Sequence, residues 1–250
     1  VHYTDQSPFD TRFEWGEAGL RALGPGAAAI VIVDVLSFST AVEVAVSRGA
    51  SAVPFRWRDE SATAKAESLG AYLAVSRSKV SEEHPYSLSP DSMQNLPAGS
   101  TIVLPSPNGA TLSAMTSEFN AEVFAGCLRN ASSVAAACHA IDGPTVVIAA
   151  GERWGDVRTG SLRPAFEDLI GAGAILTALS ASNPSPEARA AIAAFEDSRT
   201  NLLGRLETCS SGRELIELGY HRDVMMAAQY DVSPAIPRLL DGAYTQRAEH

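Results

Sequence analysis

The chain has 250 residues, 46% hydrophobic and 19% charged, enough apolar material for a sizeable core and too much for a disordered chain. Its net charge of −10, with no more than two basic residues adjoining anywhere, disfavours nucleic acid, whose phosphates need clustered Lys and Arg. A small anionic substrate stays open, because local arginines and a divalent cation can reverse the field inside one cleft.

The three cysteines, Cys127, Cys138 and Cys209, form no C-x-x-C pair, and an odd count is no disulfide framework. A reduced, cytoplasmic interior is expected. The stretch Val1–Gln6 is polar and lacks the charged-then-apolar pattern of a signal segment. No apolar run approaches the roughly 18 residues that span a bilayer. A soluble cytoplasmic protein, without a membrane partner, is the expectation.

Residues 1–26 read as an irregular start, with a short helix or strand around Phe13–Leu23 stopped by Gly24-Pro25-Gly26. Ala27–Val33 is then a run of seven apolar residues without alternation, a strand covered on both faces. It ends on Asp34, at the carboxyl end of a central strand, where open α/β sheets bind their ligands. The plainer role for Asp34 is to cap the next helix, although Ser37, Ser39 and Thr40 already offer caps there. That helix carries Ala41, Val42, Val44, Ala45 and Val46 and closes at Gly49. Ser51–Phe55 is a second strand, and Asp59–Tyr72 an Ala-rich amphipathic helix capped by Asp59 or Ser61.

Residues 76–100 are polar and turn-rich, and read as an active-site loop region or mobile flap. Thr101–Leu104 is a third strand leading into Pro105-Ser106-Pro107-Asn108-Gly109-Ala110, where a helix starts with Ser106 or Asn108 at its cap. Glu122–Ala125 is a fourth strand, followed by a helix over Ala131–Ala140. Pro144–Ala150 is a fifth, running into Gly151-Glu152-Arg153. After Pro164 a helix begins with Phe166-Glu167-Asp168-Leu169, and its Gly171-Ala172-Gly173-Ala174 suggests close packing against another backbone. From Pro184 onward the chain reads as helical. Ser211-Gly212-Arg213-Glu214 fits a capping box, Gly219 a stop, His221–Tyr230 a further helix, and Pro234 and Pro237 open the tail.

Strand and helix alternate, then helices alone follow. This predicts a three-layer α/β/α fold with a mainly parallel or mixed sheet and a helical C-terminal part. The expected organisation is one α/β domain over residues 1–250, or two closely packed lobes over about 1–125 and 126–250.

Three strand ends deliver groups suited to chemistry. The first carries Asp34 with Ser37, Ser39 and Thr40; the third carries Ser106, Asn108 and Gly109; the fifth carries Glu152, with Glu167 and Asp168 on the next helix. If these strands are parallel neighbours, the groups converge on one edge of the sheet. Hydroxyls and amides at helix starts suit a phosphate. Clustered carboxylates suit a hard cation such as magnesium, which could polarise a phosphoryl group and activate water. Each has a plainer reading. Glu167 and Asp168 could serve the helix dipole, and adjacent helical residues point roughly 100° apart, so one of the two faces the site. Asn108-Gly109 could be a turn, and Arg213 with Glu214 a cap. The histidines His2, His84, His139, His221 and His250 show no ligand spacing; His84, in the polar stretch, is kept as an acid–base candidate. There is no phosphate loop and no dinucleotide fingerprint. Leu36 stands where a haloacid-dehalogenase type of phosphatase needs its second Asp.

Asp34-Val35-Leu36 with Ser39-Thr40, then Pro105-Ser106-Pro107-Asn108-Gly109-Ala110, resembles the motifs of the 2-phosphosulfolactate phosphatase family. Ala150-Gly151-Glu152, Phe166-Glu167-Asp168-Leu169 with Ala172-Gly173, Ser211-Gly212-Arg213-Glu214-Leu215, Gly219, Asp223-Val224 and Ala227-Ala228 continue it in order. The resemblance implies a magnesium-dependent α/β/α enzyme that hydrolyses 2-phosphosulfolactate to sulfolactate and phosphate, a step toward coenzyme M. It implies that Asp34, Asn108, Glu152, Glu167 and Asp168 lie at or near metal and phosphate, with Arg213 as an anion partner. On that basis Asp34, Glu152 and Arg213 are catalytic candidates. Ser37, Ser39, Thr40, Arg77, Ser106, Asn108 and Gly109 are substrate-binding candidates, and Asp34, Glu167 and Asp168 metal candidates. The expected partner is a small phosphorylated anion, with a homodimer left open. Two departures stand out. The family's arginine after Asp-Val-Leu is Ser37 here, and its Gly-Glu-Arg-x-Gly and Gly-Asn-Ser-Pro segments are replaced by Ser76-Arg77-Ser78-Lys79-Val80 and Ser87-Leu88-Ser89-Pro90. Arg77 and Lys79 are candidates to restore the lost charge. The alternatives are a family member that binds an anionic metabolite without hydrolysis, or a different small-acid enzyme on the same fold.

Overall fold

The computed structural model describes residues 3–156, 159–180 and 183–246; His2 and His250 lie outside the described residues. Eleven strands are described: β1 (Thr11–Trp15), β2 (Ala29–Val33), β3 (Ser51–Phe55), β4 (Tyr72–Leu73), β5 (Thr101–Pro105), β6 (Glu122–Gly126), β7 (Thr145–Ala149), β8 (Glu152–Arg153), β9 (Leu162–Arg163), β10 (Pro237–Leu240) and β11 (Ala243–Gln246). The helices are α1 (Gly16–Leu23), α2 (Phe38–Ser47), α3 (Glu60–Leu69), α4 (Pro90–Met93), α5 (Gly109–Met115), α6 (Ala131–His139), α7 (Phe166–Leu179), α8 (Pro186–Ser198), α9 (Leu202–Thr208), α10 (Ser210–Glu217) and α11 (His221–Ala227).

Nine strands form one sheet in the order β1-β7-β2-β6-β10-β11-β3-β5-β4, and β8 pairs with β9 alone. The central strand β2 is buried along its whole length. Successive side chains point to opposite faces. Val31 and Val33 pack with Val134, Ile170 and Ile175 of α6 and α7 on one face. Ile30 and Ile32 pack with Leu20 and Leu23 of α1 and Leu112 of α5 on the other. Two helical layers therefore sandwich the sheet, which is why the β2 run shows no alternation. The small residues of α7 act as expected: a Cβ on Gly173 would lie 2.1 Å from the Ala191 carbonyl oxygen of α8.

The structure departs from the sequence reading in three places. First, the start of the chain holds a regular strand, β1, parallel to β7 at the sheet edge. Second, the tail is not wholly helical: β10 and β11 form an antiparallel hairpin. It sits inside the sheet, pairing antiparallel with β6 on one side and β3 on the other. Its turn is Asp241-Gly242, both at positive φ (50° and 81°), as a two-residue hairpin turn requires. Tyr244 on β11 is fully buried, and its hydroxyl meets Ser113 Oγ at 2.8 Å. Third, residues 76–100 are not a free flap throughout: residues 78–85 are exposed, but the part that follows is packed down. Tyr86, Met93 and Leu96 are buried against α2, and Ser89 Oγ donates to buried Asp223 at 2.5 Å.

The hairpin has a topological consequence. β1, β7, β2 and β6 are mutually parallel, as are β3, β5 and β4. Three antiparallel pairings separate the two sets, so β5 runs opposite to β2 across the sheet. The strand ends carrying Asp34 and Asn108 are therefore not neighbours in one parallel run. They meet all the same: the Gly109 N–H, four residues past the end of β5, reaches Asp34 Oδ2 at 2.9 Å.

Candidate active site

Asp34 follows β2 and is 6% exposed. Its Oδ1 accepts the Phe38 N–H at 3.2 Å, and its Oδ2 accepts the Gly109 N–H at 2.9 Å. The first bond comes from the start of α2, the second from the start of α5. Position 109 must be glycine for this approach: a Cβ there would lie 2.3 Å from Phe38 Cδ1 and 2.8 Å from Asp34 Oδ2. Ser39 and Thr40 serve the backbone. Ser39 Oγ accepts the Asp34 N–H at 2.9 Å and donates to the Ile32 carbonyl at 3.0 Å. Thr40 Oγ1 donates to the Val35 carbonyl at 2.8 Å.

Glu167 and Asp168 open α7, and both are buried. Asp168 Oδ1 accepts the Val35 N–H at 2.7 Å and Oδ2 the Gly151 N–H at 2.8 Å, bracing the segments that leave β2 and β7. Glu167 has a different partner: its Oε2 accepts the Cys209 thiol at 3.5 Å, while its charge acts on Asp34, Glu152 and Asp168. Cys209 also caps α10, accepting the Gly212 N–H at 3.4 Å, so thiol sulfur takes the place expected of Ser211. Glu152 Oε2 accepts from Asn108 Nδ2 at 3.0 Å. Asn108 thus orients a carboxylate and does not cap α5 with its side chain. Ser106 is buried just before it, its N–H bonded to the Phe55 carbonyl at 2.9 Å. A cavity of about 300 Å³ opens beside Asn108, walled by Trp15, Pro107, Leu112 and Leu162.

The four carboxylates feel one another. Burial, then the Glu167 charge, pushes Asp34 up to about 6, against the pull of the Gly109 and Phe38 amides. Burial, then Asp34 and Glu167, pushes Glu152 up to about 8, with Arg163 and the Asn108 amide opposing. Asp168 is raised by burial and then by Asp34 and Glu167. The Cys209 thiol is pushed up to about 12 by burial and by Glu167. Burial is the first cause of each shift, and the neighbouring carboxylates add to it. An all-oxygen donor set short of positive charge suits a hard divalent cation. Among the described residues no three His, Cys, Asp or Glu side chains form a ready-made cage. The set thus fits magnesium, which usually takes one or two carboxylates and fills its shell with water and substrate oxygens.

Arg77 comes in at Ser37, three residues past Asp34. Its Nη2 donates to Ser37 Oγ at 2.7 Å, and Nε and Nη2 both reach Asp223 Oδ2, at 3.2 and 3.0 Å. Its guanidinium also lies over the Tyr220 ring, 5.1 Å from the centroid. A guanidinium thus meets the one position, Ser37, where the sequence lacks an expected arginine. Arg213 is not brought in: its side chain is 68% exposed and pairs with Glu217 at 3.8 Å. His84 is exposed and lines a different cavity with Glu67 and Tyr72. Sequence reasoning passed over Arg163, which faces Glu152 across the β8–β9 pair and donates to Ser211 Oγ at 3.2 Å. Its place just before Pro164 and the Glu167-bearing helix was the available signal.

Fold and site together define an α/β/α protein with buried carboxylates and helix-start amides gathered where strands leave the sheet, faced by a fixed guanidinium. Residues 22–242 match the family described as 2-phosphosulpholactate phosphatase, and the chain belongs to that family of phosphoric monoester hydrolases. It is 30% identical over 213 residues to a probable 2-phosphosulfolactate phosphatase of Carboxydothermus hydrogenoformans, covering 84% of this chain and 85% of that protein. No described helix is long and apolar enough to cross a membrane.

Proposed function

We propose that the chain is a magnesium-dependent phosphatase acting on 2-phosphosulfolactate or a close analogue, releasing sulfolactate and phosphate on the route to coenzyme M. The observation that carries this is the uncompensated buried carboxylate cluster beside the Arg77–Ser37 contact. Family membership and the name of the relative support it. Asp34, which ends the central strand, and Glu167, whose charge acts on it, would hold the cation. Asp168 joins the Val35 and Gly151 amides and so positions the segments around them. Bound there, magnesium supplies charge to stabilise the phosphoryl oxygens and to acidify a water. Arg77 and the Ser37 hydroxyl receive phosphoryl oxygens. Asn108 holds Glu152, whose carboxyl would give its proton to the ester oxygen as the bond from that oxygen to phosphorus breaks; a water oxygen bonds to phosphorus in line, one of its protons staying on the phosphate and the other returning through solvent to Glu152. The direct test is phosphate release from 2-phosphosulfolactate with and without magnesium. Release that requires the metal is expected; no release in either condition overturns the proposal.

The same cluster predicts a pH dependence of stability. Glu152, at about 8, and Asp34, at about 6, hold protons in the folded protein above the pH where the unfolded chain has lost them. The folded state binds more protons, so stability falls as pH rises from about 4 to about 8. In EDTA the melting temperature should decline across that window. Added magnesium should raise it most at the alkaline end, where the carboxylates are ionised. A flat profile with no magnesium effect would remove the cation from this pocket.

A further inference from the structure

Arg58 lies between β3 and α3 and is exposed. Its Nη2 reaches back to the Pro105 carbonyl at 3.3 Å, at the end of β5. Pro105 and Ser106 lead directly to Gly109, whose N–H holds Asp34 Oδ2. Arg77 occupies the matching place on the other flank. It bonds Ser37, next to Phe38, whose N–H holds Asp34 Oδ1. Two guanidiniums thus hold segments that lead into the two helix starts gripping Asp34, and the charge of Arg77 acts on Arg58.

The two are not equally balanced. Arg77 is paired with buried Asp223, which also accepts from Ser89 Oγ and the Asp91 N–H. Arg58 forms no ion pair among the described residues, and its neighbour Asp59 caps α3 through the Ser61 N–H and hydroxyl. Arg58 therefore lacks the carboxylate partner that Arg77 has in Asp223, and it lines a cavity with Lys79, Asp59 and Glu60. Guanidiniums recognise carboxylate, sulfonate and phosphate oxygens with paired N–H donors.

We propose that Arg58, with Arg77, forms a two-guanidinium clamp that receives a second oxyanion of the substrate, carboxylate or sulfonate, beyond the phosphoryl group. Arg58 then selects substrates with two anionic groups over simple phosphate esters. This rests on the phosphoester reading given above, and its test is chosen to fail separately. The probes are 2-phospholactate and isopropyl phosphate, which differ by a carboxylate in place of a methyl group. Calorimetric titration of the otherwise unmutated protein in EDTA, where metal-dependent release is off and the ligand survives, gives the ratio of the two affinities. With Arg58 present, 2-phospholactate should bind about 10- to 100-fold tighter, the span expected of a charge-assisted hydrogen-bonded contact. Arg58→Ala should bring the ratio close to one, and Arg58→Lys, which keeps the charge but loses the fork, should fall between. A ratio unchanged by Arg58→Ala, no preference in its presence, or no binding of either probe overturns the clamp. If the preference is present and lost in Arg58→Ala while the unmutated protein releases no phosphate from any substrate, the clamp stands and the phosphatase reading falls.

Discussion

Asp34→Asn should lower kcat/KM for the phosphorylated substrate by about 10³-fold or more, because a cation ligand lost from the reacting centre costs several kcal/mol of transition-state stabilisation. The substitution is not isosteric in hydrogen bonding. Both Asp34 oxygens accept backbone N–H groups, from Phe38 and Gly109. An asparagine satisfies one and turns its own NH2 toward the other. Some stability is lost there, on the order of 1–3 kcal/mol for one frustrated buried donor. Against this, removing the charge relieves Glu152 and Asp168, both of which Asp34 pushes upward. The expected protein is folded, close to its original melting temperature, nearly inactive, and no longer stabilised by magnesium. Circular dichroism, thermal unfolding with and without magnesium, and phosphate release together check this. Activity within tenfold of the unmutated protein would take Asp34 out of the chemistry.

Asp168→Ala should instead be a stability variant. Asp168 joins the Val35 and Gly151 amides, at the ends of β2 and β7, to the first turn of α7. Alanine leaves two buried N–H groups without a partner, about 1–3 kcal/mol each, partly offset by one fewer charge in a repulsive cluster. A net loss of about 3 kcal/mol is expected, which for a chain this long lowers the melting temperature by roughly 6–12 °C. Glu167→Gln, one residue earlier, should behave oppositely. It removes a charge that raises Asp34, Glu152, Asp168 and Cys209. The protein should be at least as stable and should lose activity. Differential scanning calorimetry beside phosphate release separates the two. Equal effects of both variants on stability would mean that these neighbours share one role.

The contrast between Glu167 and Asp168 marks where sequence reasoning ends. Helical spacing says that two adjacent acidic residues diverge, but not which of them meets the backbone and which the pocket. The same limit applies to Ser39 and Thr40. Their hydroxyls at a helix start suit a phosphate, and in the structure each is spent on a carbonyl of the preceding loop or strand. Arg77 shows the opposite case. It was singled out for its charge alone, and only the fold brings its guanidinium to Ser37, 40 positions away.

What the sequence by itself determined is what depends on local periodicity and composition. The unbroken apolar run before Asp34 called for a strand covered on both faces, and the structure supplies helices on both. The Gly and Ala residues of α7 called for a close backbone neighbour, and α8 is there. The alternation of strand and helix gave the layered class, and the ordered motifs gave the family. Tertiary structure decided the rest, because strand order and side-chain partners are set by residues far apart in the chain. Asp241-Gly242 is a hairpin-turn pair that the helical reading of the tail missed, and nothing local could say that the hairpin would lodge between β6 and β3. Across that reordered sheet, Asn108 meets Glu152 and Gly109 meets Asp34, contacts between residues 44 and 75 positions apart. The site is therefore a product of long-range pairing, and its residues could be named from the sequence more readily than their roles.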